Sequence, residues 1–352
     1  MLEGLELLKR LVPEIIFLLE KRYNILRVVS YNQPIGRRLL SEQLELGERV
    51  VRSEVEFLKG QQLLLSDAVG VSLTKECEIF MPQLAELIHQ FRGLAFLEDY
   101  LEKKMELTKV CIVPGDLDEA NTNLRELGKT AGKIVSEVVQ DDWVIAVSGG
   151  TTMAEVARQI PQTDEKKGIL VVPARGGLGE VVEIQSNTIA ARIAKSLQGS
   201  YRLLYVPDDI SEEALENFVL DHKILETIAL AKRANLLLHG IGVPKIMAAR
   251  RDLNWQDLLK WAKKLPVGEA FGYYFAEDGS VAVTTPTVGP RLEDLARFNQ
   301  VVAVAGGKSK AKAILAVLKA GFVKVLITDQ GAAEAMQKAL EEEFLLYEGE
   351  NS

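Results

Sequence analysis

Cysteine and histidine are scarce in this 352-residue chain. Cys77 and Cys111 form no C-x-x-C pair, and His89, His222 and His239 share no metal-ligand spacing. A disulfide framework and a zinc site are therefore excluded, and neither a metal nor a cofactor is expected. Long apolar runs are missing too. No stretch of about 18 uncharged apolar residues occurs, so no membrane span and no membrane partner are expected. Glu3, Glu6, Glu14 and Glu20 interrupt the N-terminal apolar stretch and Pro13 breaks it, unlike a signal peptide. These absences point to the cytoplasm. Two nucleotide motifs are absent as well. Gly306-Gly307-Lys308-Ser309 lacks the partner glycine of a G-x-x-x-x-G-K-[ST] loop, and no G-x-G-x-x-G follows the first strand of the α/β region.

Apolar residues are plentiful, at 47%, enough for globular cores. The length exceeds what one ordinary core supports and points to more than one domain. The net charge of −8 argues against a surface that binds nucleic acid throughout. Its distribution is uneven. Residues 21–75 carry nine Lys/Arg against six Asp/Glu, and the remainder carries 33 against 44. A mildly basic head on an acidic body is the asymmetry that needs an explanation.

Three segments follow. Residues 1–75 read as helices followed by a two-stranded ribbon, 76–106 as a helical linker or dimerisation segment, and 107–352 as alternating strands and helices. Within the first, residues 1–20 read as a short amphipathic helix or two interrupted at Pro13, with Leu5, Leu8, Val12, Ile15 and Ile16 on one face, serving as a packing arm or a dimer contact. A separate helix runs from Leu19 to Ser30. Two more are expected near Gly36–Leu44, with Leu39, Leu40 and Leu44 as its apolar positions, and near Glu48–Lys59. Val51, Val55 and Leu58 are spaced for burial, which turns Arg49, Arg52 and Ser53 outward. Leu63–Ser66 and Val71–Leu73 flank a turn and suit a hairpin wing. A helix-turn-helix places the N-terminal side chains of its second helix against base edges. Arg49, Arg52 and Ser53 fit that task, with Arg37 and Arg38 near the phosphate backbone, because the guanidinium fork binds guanine edges or phosphates.

In the C-terminal segment, strands are expected at 109–114, 143–148, 168–173, 201–206, 235–241, 301–305 and 323–328, with helices between them, including one at 211–231. Apolar runs such as Val144–Val147 and Val301–Ala305 are those of a parallel sheet covered on both faces. Residues 242–299 look looser, with a hairpin around Asp278-Gly279. Ligands of open α/β sheets sit at the carboxyl ends of the strands. Four loops lie there. Ser148-Gly149-Gly150-Thr151-Thr152 joins a strand to a helix N-terminus, whose unpaired N–H groups and dipole favour an anion. Pro173–Gly179 adds Arg175 and Gly176. Leu238–Gly242 is the third. Gly306–Lys310 reads as a second anion nest carrying Lys308 and Lys310. Two separated nests imply a ligand with two phosphates, or one phosphate and further acceptors. In the irregular stretch, Glu269 is a candidate acceptor for sugar hydroxyls and Arg250 a candidate phosphate clamp.

Ile35–Leu39, Glu48–Leu58, Val147–Thr152 and Val172–Gly177 together resemble the SorC family of bacterial sugar-responsive repressors over essentially the whole chain. The resemblance implies a winged helix-turn-helix joined to a Rossmann-like α/β effector domain similar to sugar-phosphate isomerases and deaminases. It implies a repressor of a glycolytic operon, with operator DNA and a sugar phosphate, fructose-1,6-bisphosphate first, as partners. It places the phosphate loop at Gly149–Thr152 and the pocket arginine at Arg175. A homo-oligomer is expected, a dimer or a tetramer on DNA, since palindromic operators mirror two-fold symmetry. An isomerase or deaminase with an accessory head is the rival. Its fold relatives need an acid/base pair in the pocket loops, and no Asp-Gly-His string exists here, so no enzymatic activity is expected.

Overall fold

The computed structural model describes residues 11–119, 121–163, 165–177, 181–207, 221–285 and 288–350. The arm residues 1–10, Leu178, Gly179 and the first half of the helix expected at 211–231 lie outside the described residues. The chain divides into two compact units, Met1–Ala95 and Phe96–Ser352.

The first unit is a small helical head. Helix α1 spans Pro13–Asn32, α2 Arg37–Leu44 and α3 Glu48–Gly60, followed by strands β1 (Leu64–Ser66) and β2 (Val71–Leu73) and helix α4 (Lys75–Phe91). The arm and the first helix expected separately are one element from residue 13 onward. Pro13 occupies the first helical turn, where its missing N–H costs nothing, so it opens α1; the chain leaves the helix at Val12 between Leu11 and Pro13, the interruption expected there. The core is built from Ile25, Val28 and Val29 of α1, Leu40 of α2, Val51, Val55 and Leu58 of α3, and Leu64, Val71 and Leu73 of the ribbon. Leu39 departs from expectation. Leu40 and Ser41 are the buried positions of α2, and Leu39, one residue round the helix, is half exposed. Leu64 pairs with Leu73 and Ser66 with Val71, antiparallel, so the wing is present.

The second unit opens within helix α5 (Leu94–Met105) and is built on a parallel seven-stranded sheet of order β3-β12-β11-β7-β4-β5-β6. Its strands are β3 (Lys109–Val113), β4 (Val144–Val147), β5 (Leu170–Pro173), β6 (Ser200–Tyr201), β7 (Leu236–Gly240), β11 (Gln300–Val304) and β12 (Val325–Asp329). Helices α6 (Asn121–Val138), α7 (Thr151–Gln159), α8 (Ser186–Ser196) and α9 (His222–Lys232) alternate with them. A continuous core from Ile134 and Val135 through Ile145 and Val147 to Val302 and Ile327 joins helices to sheet. Strand β6 is shorter than expected. Beyond it the Asn187 side chain bonds both the N–H and the carbonyl of Leu204, taking over the pairing that a strand would use.

Residues 242–299 are more ordered than their composition implies. They hold helices α10 (Pro244–Arg250), α11 (Trp255–Trp261) and α12 (Leu292–Leu295), and an antiparallel sheet of β8 (Gly268–Ala270), β9 (Tyr273–Phe275) and β10 (Val281–Thr284). The expected hairpin around Asp278-Gly279 joins β9 to β10. Helix α13 (Ala311–Lys319) follows β11, and α14 (Gln330–Glu350) closes the described chain. Among the described residues, no helix is long and apolar enough to cross a membrane.

Candidate functional site

Strand β4 ends against its neighbours, and its exit loop must turn sharply to start α7. Gly150 makes that turn at φ +120°, a conformation that a side chain would strain. A Cβ on Gly149 would lie 2.8 Å from the carbonyl oxygen of Ile184, so the loop needs glycine there as well. The Gly150 N–H is already spent on that same carbonyl, at 2.9 Å. Among the described residues, helix α7 has no side-chain cap. The first-turn N–H groups of Thr151, Thr152 and Met153 therefore have no helical acceptor and carry the positive end of the dipole. They border a cavity of about 620 Å³, within the usual range for small-molecule sites.

The cavity is strongly cationic. Arg175, Arg250, Arg251 and Lys310 line it, against one carboxylate among the described residues, Glu269. Arg175 and Arg251 are buried, and both converge on Glu269 Oε1, at 3.4 and 2.8 Å. The Gly272 N–H donates to the same oxygen at 2.7 Å, and Arg251 also donates to the Tyr274 hydroxyl at 3.1 Å. Arg250 stays exposed beside the cavity. Lys310 is pulled below the usual lysine range by burial and by the nearby Arg250 charge, while Asp118 and Asp329 oppose the shift. Arg251 was hidden in the sequence. It is one residue past Arg250 at the end of α10, and only the packing of α10 against β8 turns it inward. Gly176 lies on the cavity wall with Arg175.

The loop Gly306–Lys310 is not the open nest that its sequence implies. Gly307 N–H donates to both oxygens of Asp329, Lys308 N–H to Asp116 at 3.2 Å, and Ser309 N–H to Asp118 at 2.7 Å. The anions that this nest holds are the chain's own. Lys308 is exposed and off the cavity wall, a correction to its expected role; only the Lys310 side chain reaches the cavity. Lys310 stands at the end of β11, two strand positions from the β4 loop, or roughly 10 Å along the rim.

His239 plays no visible acid–base part. It is fully buried on β7, edge-on to Phe271 at 5.4 Å and near Phe322 at 5.9 Å, and does not line the cavity. Burial pushes its pKa down to about 4, so it is neutral near pH 7. The chemistry on the wall is suited to holding an anion with hydroxyl or phosphoryl oxygens.

In the head, Arg37 and Arg38 of α2 and Arg49, Arg52 and Ser53 of α3 are all exposed. Val51, Glu54, Val55 and Leu58 form the buried face of α3. Glu54 is the residue that the spacing argument missed. It bridges Lys21 at 2.5 Å and Arg22 at 2.9 Å on α1, while the Arg22 guanidinium lies 3.6 Å from the Phe57 ring centroid. These contacts fix the roll of α3 about its axis and leave the arginine face outward. The wing carries no Lys or Arg. Its turn is closed by Asp67, and Leu65 and Val69 are its exposed large apolar side chains.

Comparison with known proteins agrees with this division. Residues 18–88 match the model of the CggR N-terminal DNA binding domain, and residues 89–338 match the "Putative sugar-binding domain" model. The chain is 42% identical to the central glycolytic genes regulator of Priestia megaterium, over 94% of this chain and 97% of that one. Against the regulator of the same name from Bacillus subtilis, identity is 39% over 93% and 96%. Among solved structures, it is similar to a "putative SorC family transcriptional regulator" from Enterococcus faecalis. That likeness has a TM-score of 0.63 and 38% identity, covering 68% of this chain and 99% of that one. The full-length sorbitol operon regulator SorC of Klebsiella pneumoniae shares the fold, with a TM-score of 0.62 at 17% identity, over 92% and 99%. With a DNA-binding head, a sugar-binding α/β domain and relatives along its whole length, the chain belongs to the SorC family of sugar-responsive transcriptional regulators.

Proposed function

We propose that the chain represses a glycolytic operon and is released from its operator by a phosphorylated sugar, with fructose-1,6-bisphosphate as the first candidate. One observation carries the reading. An uncapped helix N-terminus at Thr151–Met153 and a pair of cationic side chains, Lys310 and Arg250, border the same cavity at separate strand positions. A ligand with an anionic group at each end suits that arrangement, and a hexose between them would meet Arg175 and Glu269. The glycolytic assignment draws on the names of the relatives at 42% and 39% identity.

The Gly149–Thr152 loop takes one phosphoryl group, Arg175 and Glu269 address the sugar, and Lys310 with Arg250 takes the second group. Arg37, Arg38, Arg49, Arg52 and Ser53 hold operator DNA. Induction then requires that the sugar phosphate bind the DNA-releasing state more tightly than the DNA-holding one. The protein acts in the cytoplasm as a homo-oligomer, a dimer or a tetramer on DNA, and uses no cofactor. A gel-shift titration of operator DNA against a panel of glycolytic phosphates tests the reading. Release by a bisphosphate at lower concentration than by monophosphates is expected. Operator binding that ignores every sugar phosphate would sink it.

A further inference from the structure

We infer that Asp118 is a positioning residue for the sugar-phosphate pocket: through Ser309 it fixes the loop that carries Lys310, and so sets affinity for the ligand's second anionic group. The inference rests on the proposed two-ended pocket and deepens it.

The backbone from Gly307 to Ser309 presents three successive N–H groups. Each is taken by a carboxylate from another part of the chain, Asp329 at the end of β12 and Asp116 and Asp118 after β3. Asp118 binds Ser309 twice, through the N–H at 2.7 Å and the hydroxyl at 3.1 Å. Asp329 also accepts from Leu117 N–H at 2.6 Å, so the two carboxylate-bearing segments are tied to each other. The glycines are there for these contacts. Gly307 sits at φ +98°, and a Cβ on it would lie 2.7 Å from Asp118 Oδ1; one on Gly306 would lie 2.9 Å from Asp329 Oδ2. Lys310 is the next residue, its N–H donating to Gly307 O at 2.9 Å, and its side chain enters the cavity. A nest that would otherwise take a phosphate is thus plugged by internal carboxylates. Their effect is to hold the Lys310 backbone still while its ammonium group faces the ligand. The groups facing that ammonium are Arg250 from α10, Asp118 from the β3 exit and Asp329 from β12.

Charge and position make opposite predictions for Asp118, which is what makes the role testable. Removing a carboxylate near Lys310 makes the pocket more positive and, by electrostatics alone, tightens anion binding. Removing an anchor of the loop loosens Lys310 and weakens it. The experiment is calorimetric titration of the full chain with fructose-1,6-bisphosphate and, separately, fructose-6-phosphate. Asp118→Ala is expected to lose about tenfold in bisphosphate affinity, the scale of one charge-assisted hydrogen bond, and to hold monophosphate affinity within about twofold. Asp118→Asn keeps an acceptor for the Ser309 N–H and is expected to retain bisphosphate affinity. Ser309→Ala, which removes the hydroxyl bond alone, is expected to show a smaller loss with the same selectivity, and serves if Asp118→Ala does not fold. Tighter or unchanged bisphosphate binding in Asp118→Ala overturns the positioning role, as does an equal loss for both sugars. An unsubstituted protein that binds neither sugar phosphate instead overturns the pocket assignment itself.

Discussion

Arg251 Nη2 donates to Glu269 Oε1 at 2.8 Å, with both side chains almost wholly buried. The pair joins α10 to β8, and Arg175 from the opposite side of the cavity leans on the same oxygen at 3.4 Å. Glu269 thus binds together two segments of the pocket wall that are distant in sequence. Replacing it by alanine leaves two buried guanidiniums facing each other. Glu269→Ala is expected to destabilise the effector domain by about 3 kcal/mol, the usual cost of breaking a buried pair from one side. Denaturant unfolding followed by the domain's own signal measures it. A loss below about 1 kcal/mol would show that water replaces the carboxylate readily.

Ligand and operator are assigned to residues in different domains, so their losses should separate. Thr152→Ala removes one hydroxyl from the α7 entrance and is expected to weaken the response to a sugar phosphate several-fold, about 1 kcal/mol, while leaving operator affinity unchanged. Arg52→Ala should do the reverse, costing about 1–3 kcal/mol of operator binding if it reads a base edge. Gel-shift titrations of both variants decide the matter. Loss of operator binding by folded Thr152→Ala would refute the division of labour.

The wing holds no cation, so phosphate contacts fall to the helices. Four exposed arginines, Arg37, Arg38, Arg49 and Arg52, are available on α2 and α3 of each head. If Arg37 and Arg38 each neutralise one phosphate while Arg49 and Arg52 face base edges, the logarithm of the binding constant should fall with the logarithm of salt at a slope of about −1.8 per head. Val69→Ser at the wing should leave that slope in place. Fluorescence anisotropy across a salt series checks both, and a slope changed by Val69→Ser would put the wing on the backbone.

His239 gives the effector domain a pH response of known sign. Its folded pKa is pushed down to about 4 by burial, against an ordinary value of 6.5. Between those limits the unfolded chain binds the extra proton and the folded one does not. Stability is therefore complete above pH 6.5, falls as the pH drops towards 4, and levels off below it. The whole window spans on the order of 3 kcal/mol. His239→Gln should flatten the curve over that interval in thermal melts at stepped pH. An unaltered slope in the variant would assign the effect to other groups.

Much of this architecture was legible because it depends on local pattern. The burial stripe Val51, Val55, Leu58 both defined α3 and turned Arg49 and Arg52 outward, since a helix has only one period to satisfy. Apolar runs at Val144–Val147 and Val301–Ala305 specified buried parallel strands for the same reason. Loops were harder. Ser148–Thr152 and Gly306–Ser309 look alike as glycine-rich turns after a strand. They differ in what has already claimed their N–H groups. In the first, Ile184 O takes only that of Gly150; in the second, Asp116, Asp118 and Asp329 take three in a row. Those carboxylates stand 22 to about 190 residues away along the chain, where no window of sequence connects them.

Composition and periodicity by themselves determined a basic helical head, an acidic α/β body and the rim on which its ligand loops must lie. Tertiary structure alone decided which of those loops is open, which of two adjacent arginines points inward, and which glutamate holds α3 in place. The reason is physical. Periodicity is set by the geometry of one element, whereas the availability of a backbone N–H or the burial of a charge is set by whatever distant segment folding brings beside it.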